Sequence, residues 1–269
     1  MAPGLDAQIK GDLQPTSGKG DLTVRGRDAA EALRWLQKLP GLPASLQTVS
    51  ASGNAELKAS WQGGWRDPAL QVKLDVPLLD WQGSKPGGTG TDAVMPAPAS
   101  ATQTLKIRAL QATLGGRISQ AQLSTVGRIE AGTRRYALQL AAEGGRSESS
   151  WQGLINQLSV AVEDPALGVG PWRLNMRGKV PLRWTQPPTS NAANGGVFES
   201  GAGEATLGAP TGKIKAAAPP QALLAWQPVR WQAGELTTAG KLTGLPMAWI
   251  ELLAGPQMAG AGLANNLLL

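Results

Sequence analysis

The sequence contains no histidine and no cysteine among its 269 residues. Histidine is the commonest general base and a frequent metal ligand, so its absence excludes Ser-His-Asp catalysis and most transition-metal sites. The absence of cysteine excludes disulfides and thiol chemistry. No stretch of the sequence carries a complete catalytic motif. We therefore expect that the protein is not an enzyme and holds no cofactor or metal.

Charged residues are also scarce, at 16% against roughly 25% in typical soluble proteins. The formal net charge is +6, which raises the possibility of a nucleic-acid partner. However, the basic residues are single and spread along the chain: Lys58, Lys73, Lys106, Arg108, Arg117, Arg135, Arg173, Lys179 and Arg183. A solvated face explains this distribution better than a binding patch, so we expect no nucleic acid.

No run of about twenty apolar residues is present, so no segment has the length of a membrane-spanning helix. The start, Met1–Gly4, lacks the charged and apolar regions of a signal peptide, and the sequence ends on the apolar Asn265–Leu269. We interpret both ends as cut edges and expect an internal fragment of a longer protein.

The dominant pattern is an alternation of apolar and polar residues with a period of two, which is typical of strands with one apolar face. Glycine occurs 35 times and proline 20 times, which predicts frequent turns between those strands. We expect the apolar phase to line a groove, with these residues: Leu57, Leu70, Val72, Leu74, Leu105, Ile107, Leu138, Leu140, Val160, Leu174 and Val180.

Few helices are predicted that would cover such a face. Asp28 and Glu31 form an acidic variant of the capping box ahead of one short amphipathic helix near 28–39. A second short helix is predicted near 246–254, and 151–158 is a weak third candidate. The fold class is therefore all-β: an elongated, twisted antiparallel sheet, curled into an open apolar groove or closed on itself as a sandwich or barrel.

The chain also divides by composition. Gly20–Gly26 recurs as Gly234–Gly240, and Trp35 and Trp249 match at the same offset, which predicts a repeated module of strand, glycine and short helix. We expect β-repeat modules at 1–83, 104–184 and 222–269, the first and last each with a short helix. Segments rich in Gly, Pro and Ala at 84–103 and 185–221 are expected to be disordered inserts.

Three Trp-Gln-Gly turns, at Trp61, Trp81 and Trp151, accompany these strands, and Gly234–Pro256 joins a Gly-x-Leu strand to a Leu-Pro segment and Trp249. In these features the sequence resembles the TamB family, the inner-membrane-anchored component of the translocation and assembly module of diderm bacteria. That family belongs to the AsmA-like, bridge-like lipid transporters. The resemblance covers most of the chain outside the two inserts, but the family's membrane anchor and its C-terminal domain have no counterpart here.

The resemblance implies a β-sheet trough in the periplasm, anchored in the inner membrane through a segment absent from this sequence. It implies that phospholipid acyl chains are the partner, carried between inner and outer membranes. It also implies support of outer-membrane protein assembly or secretion with the barrel partner TamA. Two other interpretations stay open: a purely structural β-solenoid or sandwich of a surface or secreted passenger protein, and a carbohydrate-binding or enzymatic sandwich that uses Trp61 and Trp65.

Overall fold

The computed structural model describes residues 3–38, 49–84, 102–147, 150–167, 170–185, 196–209 and 221–245. The chain forms two compact units, Met1–Ala137 and Leu138–Leu269. Strands make up most of the described residues in both units. The described strand pairs are antiparallel, so the predicted all-β antiparallel fold class is confirmed.

The first unit is a meander of six strands and one helix among its described residues. In chain order these are β1 (Leu5–Leu13), β2 (Gly18–Gly26), α1 (Ala29–Leu36), β3 (Ser50–Gln62), β4 (Ala69–Ser84), β5 (Thr102–Arg117) and β6 (Gln120–Ala131). Each strand pairs with the next strand along the chain. The period-two strands predicted to carry Leu57, Leu70 to Leu74, and Leu105 with Ile107 are therefore confirmed as parts of β3, β4 and β5.

Helix α1 begins where the sequence predicts it. The Asp28 carboxylate accepts hydrogen bonds from the backbone N–H groups of Ala30 at 2.8 Å and Glu31 at 3.3 Å. These bonds satisfy two of the donors that a helix leaves free at its first turn. The helix predicted near 246–254 lies outside the described residues.

The second unit contains β7 (Arg134–Ser147), which spans the division between the units, and nine further strands. These are β8 (Ser150–Glu163), β9 (Trp172–Arg177), β10 (Val180–Thr185), β11 (Val197–Ser200), β12 (Gly203–Gly208), β13 (Gln221–Trp226), β14 (Val229–Gln232), β15 (Glu235–Thr237) and β16 (Gly240–Thr243). One half of β8 pairs with β10 and the other half with β9. After β8 the chain crosses the sheet in passes of two short strands each: β9 with β10, β11 with β12, β13 with β14, and β15 with β16. A short irregular segment separates the two strands of each pass.

Several sequence-based predictions are wrong in the second unit. The weak helix at 151–158 is part of β8, because its residues pair with β10 as an extended strand. The insert expected at 185–221 contains β11 and β12, whose short runs pair with β10 and β9 despite the surrounding Gly and Pro. Of the insert expected at 84–103, residues 85–101 lie outside the described residues.

The two copies of the predicted repeat also differ in local structure. Gly20–Gly26 lies within the single strand β2, whereas Gly234–Gly240 spans a turn, β15 and the start of β16. Gly26 ends its strand, but Gly240 begins one. The recurrence of Gly and Leu at this offset therefore does not specify one shared unit.

The predicted curl into a trough is not observed, since within each unit the sheet is open and uncurled. In the first unit each described strand pairs with its neighbours along the chain, and β1 does not pair with β6, so the layer does not close on itself. The apolar side of the unit is therefore an open face, not a groove.

One close contact fixes the packing between β1, β2 and β3. The indole ring of Trp61 lies across Gly20, in the space that a Cβ at this position would need. The Trp61 Nε1–H donates a hydrogen bond of 3.1 Å to the Asp12 carbonyl oxygen, which ties β3 to β1. A glycine in a strand interior is typical of such a close approach.

We expect Gly20→Val to lower the free energy of unfolding by about 1–3 kcal/mol, because the new side chain collides with the Trp61 ring and with the Lys10 carbonyl. Urea denaturation measures this. Gly115→Val on β5 is the matched control, since a Cβ there meets nothing within 4 Å. Equal effects of the two substitutions would show that the Trp61 contact is unimportant.

Candidate functional site

The candidate site is the apolar face of the first unit, built from direct cross-strand partners. One line of side chains crosses all six strands, and we call it the Val72 row: Ile9, Leu22, Ala59, Val72, Leu114 and Leu123. The next line on the same face is the Leu74 row: Ala7, Val24, Leu57, Leu74, Ala112 and Thr125. Because successive side chains of a strand point to opposite faces, both rows lie on one side.

The residues between these rows form the opposite, polar face. The line that separates the Val72 and Leu74 rows consists of Gln8, Thr23, Lys58, Lys73, Thr113 and Ser124. No apolar side chain interrupts it. The six strands therefore form a layer with one apolar and one hydrophilic surface.

The apolar face continues past an irregularity in β4 and β5. The register shifts between β3 and β4 at Asn54 and Glu56, and between β5 and β6 at Arg108 and Gln111, whereas β4 and β5 stay in register with each other. Each strand accommodates one extra residue here, Pro77 in β4 and Ala109 in β5, and Ala109 has a positive φ of 49°. Such bulges shift the alternation by one residue. They return Leu79 and Ile107 to the apolar face, where Ile129 of β6 continues the line.

The exposure of its side chains shows that the described residues do not bury this face. Val76, at 6% exposed, is the only buried Val, Leu, Ile, Met or aromatic side chain among the described residues of the unit. The Val72 and Leu74 rows are half-buried at best, and Ile9 is 71% exposed. A covered sheet face would bury such side chains almost completely. Here the neighbouring side chains in the sheet supply the burial.

At the turn end of this face lies an open depression of about 770 Å³. Its apolar part is formed by Trp61 and Leu70 together with Gly11, Gly20 and Gly116. Polar side chains, including Lys10 and Lys19, border it. Because the glycines have no side chains, the Trp61 ring packs directly on the backbone at Gly20.

Ion pairs organise the polar face. Glu56 of β3 accepts from the Arg25 Nε at 2.7 Å and lies 2.9 Å from the Lys58 ammonium group. These two cations hold the pKa of the Glu56 carboxyl below its ordinary value, mainly through the hydrogen bond from Arg25. Asp80 and Arg108 form a second pair at 2.6 Å, between β4 and β5. The charges of these pairs are thus kept away from the apolar side.

In the second unit several apolar side chains are buried, unlike those of the Val72 and Leu74 rows. The Val180 side chain and the Trp226 ring both pack at Gly203, within reach of a Cβ at that position, and Val180 is only 2% exposed. Trp172 packs against Ala222, with exposures of 8% and 1%. The Trp226 ring therefore covers Gly203 on the adjacent strand, and Trp172 covers Ala222 two strands away.

An aromatic line crosses the same unit near the turn that joins β14 and β15. Trp151, Trp184, Phe198 and Trp231 are direct partners on four adjacent strands. The rings of Trp184 and Trp231 stack with centroids 6.3 Å apart and an interplanar angle of 28°. The sequence gives no sign of this alignment, because the residues come from β8, β10, β11 and β14.

The predicted lining residues fall into four groups. Leu57, Leu70, Val72 and Leu74 lie together on the apolar face of the first unit, and Leu105 and Ile107 lie on the same face beyond the bulges. Leu138 and Leu140 are half-buried on β7. Val160 is opposite Leu174 in the second unit, whereas Val180, opposite Ile155, is too buried to line an open surface.

Sequence reasoning did not select several residues of this apolar face: Ile9, Leu22, Val24, Leu110, Leu114, Leu123 and Ile129. The signal for β6 was present, since Ala121, Leu123 and Thr125 alternate with polar residues. In β5 the bulge at Ala109 conceals the pattern, because the apolar positions change from odd to even numbers. Ala109 itself, which the alternation places on the apolar phase, is exposed.

No protein-family model, curated protein or solved structure matches the chain. The structure thus defines a class, the open antiparallel β-sheet with one apolar face, and no family is assigned. In the described part of the chain, no helix combines the length and apolar character needed to cross a membrane. Nor do the described residues contain a cluster of acidic side chains suited to a metal ion.

The Glu56 pair predicts a pH dependence. Because its folded pKa lies below its ordinary value near 4.5, the pair stabilises the fold above that value, and this contribution is lost as the pH falls through the folded pKa. We expect Glu56→Gln to flatten the fall in the free energy of unfolding below about pH 4.5 and to lower stability at pH 7. Urea denaturation at pH 3–7 tests this. An unchanged acid limb would contradict the assignment.

Proposed function

We propose that the chain is a segment of a periplasmic bridge that carries phospholipid between the inner and outer membranes. In this role it supports outer-membrane biogenesis and the assembly or secretion of proteins. The observation that carries the proposal is the apolar face of the first unit, which crosses six strands and, among the described residues, stays exposed or half-buried apart from Val76.

Acyl chains fit this face chemically. Removing apolar surface from water contributes about 0.8 kcal/mol for each CH₂ group, and it needs no directional contact. The Val72 row presents aliphatic side chains alone, without a hydroxyl, amide or charge that would hold one ligand in one orientation. A face of this kind binds a chain of methylene groups without selecting a head group.

The geometry also suits movement. Neighbouring strands are about 4.8 Å apart, so an acyl chain that lies across the strands meets a similar aliphatic side chain at each step. None of the Val72 row is buried: Ile9 is 71% exposed, and the other five residues are half-buried. Transport along such a row requires no catalytic residue. Because the face is open, a phospholipid head group stays in water while its acyl chains lie on the sheet.

A second candidate function, a purely structural β-layer, is favoured by the second unit. Its tightly packed Val180, Ala205 and Ala222, with exposures of 1–2%, are core-like and leave no room for a ligand at those positions. On this interpretation the face of the first unit would be covered by further protein instead of lipid.

The two functions are separated by photo-crosslinking. A photoreactive amino acid is placed at Val72 on the apolar face, at neighbouring Lys73 on the polar face, or at Val180 in the packed region. After purification from cells without detergent, we expect phospholipid adducts at Val72 and none at Lys73 or Val180, as measured by lipid mass spectrometry. Protein adducts at Val72 without lipid would reject lipid transport in favour of the structural function.

A charge on the apolar face should have a specific effect. We expect Val72→Asp to reduce the phospholipid that co-purifies with the protein several-fold, because bound acyl chains would have to desolvate the carboxylate. Gln71→Asp places the same charge one residue away on the polar face and should retain lipid. Lipid per protein, measured on samples with matched circular dichroism, tests this. Equal retention in both variants would contradict an acyl-binding Val72 row.

A further inference from the structure

The outer edge of β1 is an unusually open strand edge. Among the described residues no strand pairs with it, and eight of its nine side chains are exposed. Natural sheets block such an edge with proline, a bulge or charged side chains, lysine above all. The strand contains no proline; its polar side carries Asp6, Lys10 and Asp12, and its apolar side consists of Ala7, Ile9 and Gly11 between the end residues. Its outward N–H and C=O groups are therefore available only to a strand whose charges complement these three.

The side chains of β1 restrict how a second strand can pair there. To keep apolar residues on one face, an antiparallel second copy must be centred on a residue of β1, because a shift of one residue moves every side chain to the other face. Centring on Ile9 would place Asp6 opposite the partner's Asp12. Centring on Lys10 would place it opposite the partner's Lys10. Both arrangements oppose like charges.

Centring on Gln8 removes this conflict. Asp6 then faces the partner's Lys10 at both ends of the pairing, which joins residues 5–11 of each strand. Ile9 lies opposite the partner's Ala7, so the apolar sides also match. A pairing centred on Gly11 would set Lys10 against the partner's Asp12, but it would join only residues 9–13. The Gln8 register is therefore the longest one with complementary charges.

We propose that β1 is a homodimer interface, in which it pairs antiparallel with β1 of a second copy in the register centred on Gln8. Opposite charges directly across a strand pair stabilise it, and like charges destabilise it, by about 0.2–1 kcal/mol each in other sheets. The pairing also connects the two apolar faces: because Ile9 belongs to the Val72 row and Ala7 to the Leu74 row, each row continues into the other row of the second copy. This inference does not depend on lipid transport.

Charge-reversed variants test the register. Lys10→Glu alone opposes two carboxylates at each pair, and Asp6→Lys alone opposes two ammonium groups. An equimolar mixture restores opposite charges at both pairs of the mixed dimer. By sedimentation equilibrium we expect a dimer for the natural chain, dissociation constants about tenfold higher for each variant alone, and recovery in the mixture.

Mixing separates the interface from effects on folding. Lys10 also faces Asp21 of β2, and the Asp6 carboxylate accepts a hydrogen bond of 3.2 Å from Arg27, so each variant carries an internal cost that mixing does not relieve. The matched control is Asp12→Lys, because Asp12 lies outside the Gln8 pairing and this variant alone should dimerise like the natural chain. Weak association of Asp12→Lys alone, recovered by mixing with Lys10→Glu, would instead show the Gly11 register and overturn the proposal. A natural chain that remains monomeric, or variants that associate as well alone as mixed, would also overturn it.

Discussion

The structure depends on a hydrophobic face that the first unit cannot bury by itself. Six strands place the Val72 and Leu74 rows on one side of a single layer, and none of the side chains in these rows is buried. For each Å² of apolar surface left in water, the fold loses about 25 cal/mol of hydrophobic stabilisation. A layer of this kind is therefore stable only with an occupant on its apolar side or with strong bonding within the sheet. Both features are central to our account.

Bonding within the sheet has identifiable sources. The Trp61 indole crosses Gly20 to reach the Asp12 carbonyl, and so links three strands. On the hydrophilic side, Glu56 joins Arg25 of β2 to Lys58 of its own strand. At the turn end, Asp67 accepts hydrogen bonds from the backbone N–H and the hydroxyl of Ser119, which holds two hairpins together. These contacts keep the layer intact without adding a second layer.

Contacts between tryptophan and glycine occur in both units, with different surroundings. In the first unit, Trp61 packs on Gly20 at the turn end of an exposed face. In the second, Trp226 and Val180 fill the space above Gly203, and the result is a packed, core-like region. An open face in one unit and a partly roofed face in the other are compatible with one chain that binds ligand on part of its length and is structural elsewhere.

Much of this architecture could be predicted from alternation alone. The run from Leu70 to Val76 specifies β4 and its apolar side, and Asp28 marks the start of α1. Alternation fails where the backbone changes phase, as at Pro77 and Ala109, and where strands are too short to show a period, as in β11. Cross-strand neighbours were not predictable, because register depends on contacts between distant residues. For this reason the Trp151–Trp231 line and the open edge of β1 emerge only from the structure, and neither the curl of the sheet nor its occupant follows from residue pattern.

The most direct test of the central claim is the solvent accessibility of the apolar face, and the lack of native cysteine makes it simple. Single cysteines replace Val72 or Lys73, and maleimide labelling rates are compared in lipid-stripped protein and after addition of phospholipid. The account predicts similar, fast labelling at both positions without lipid, and slower labelling at position 72 alone when lipid is added. Protection of position 72 in the stripped protein would show that protein covers the face, and would contradict the account.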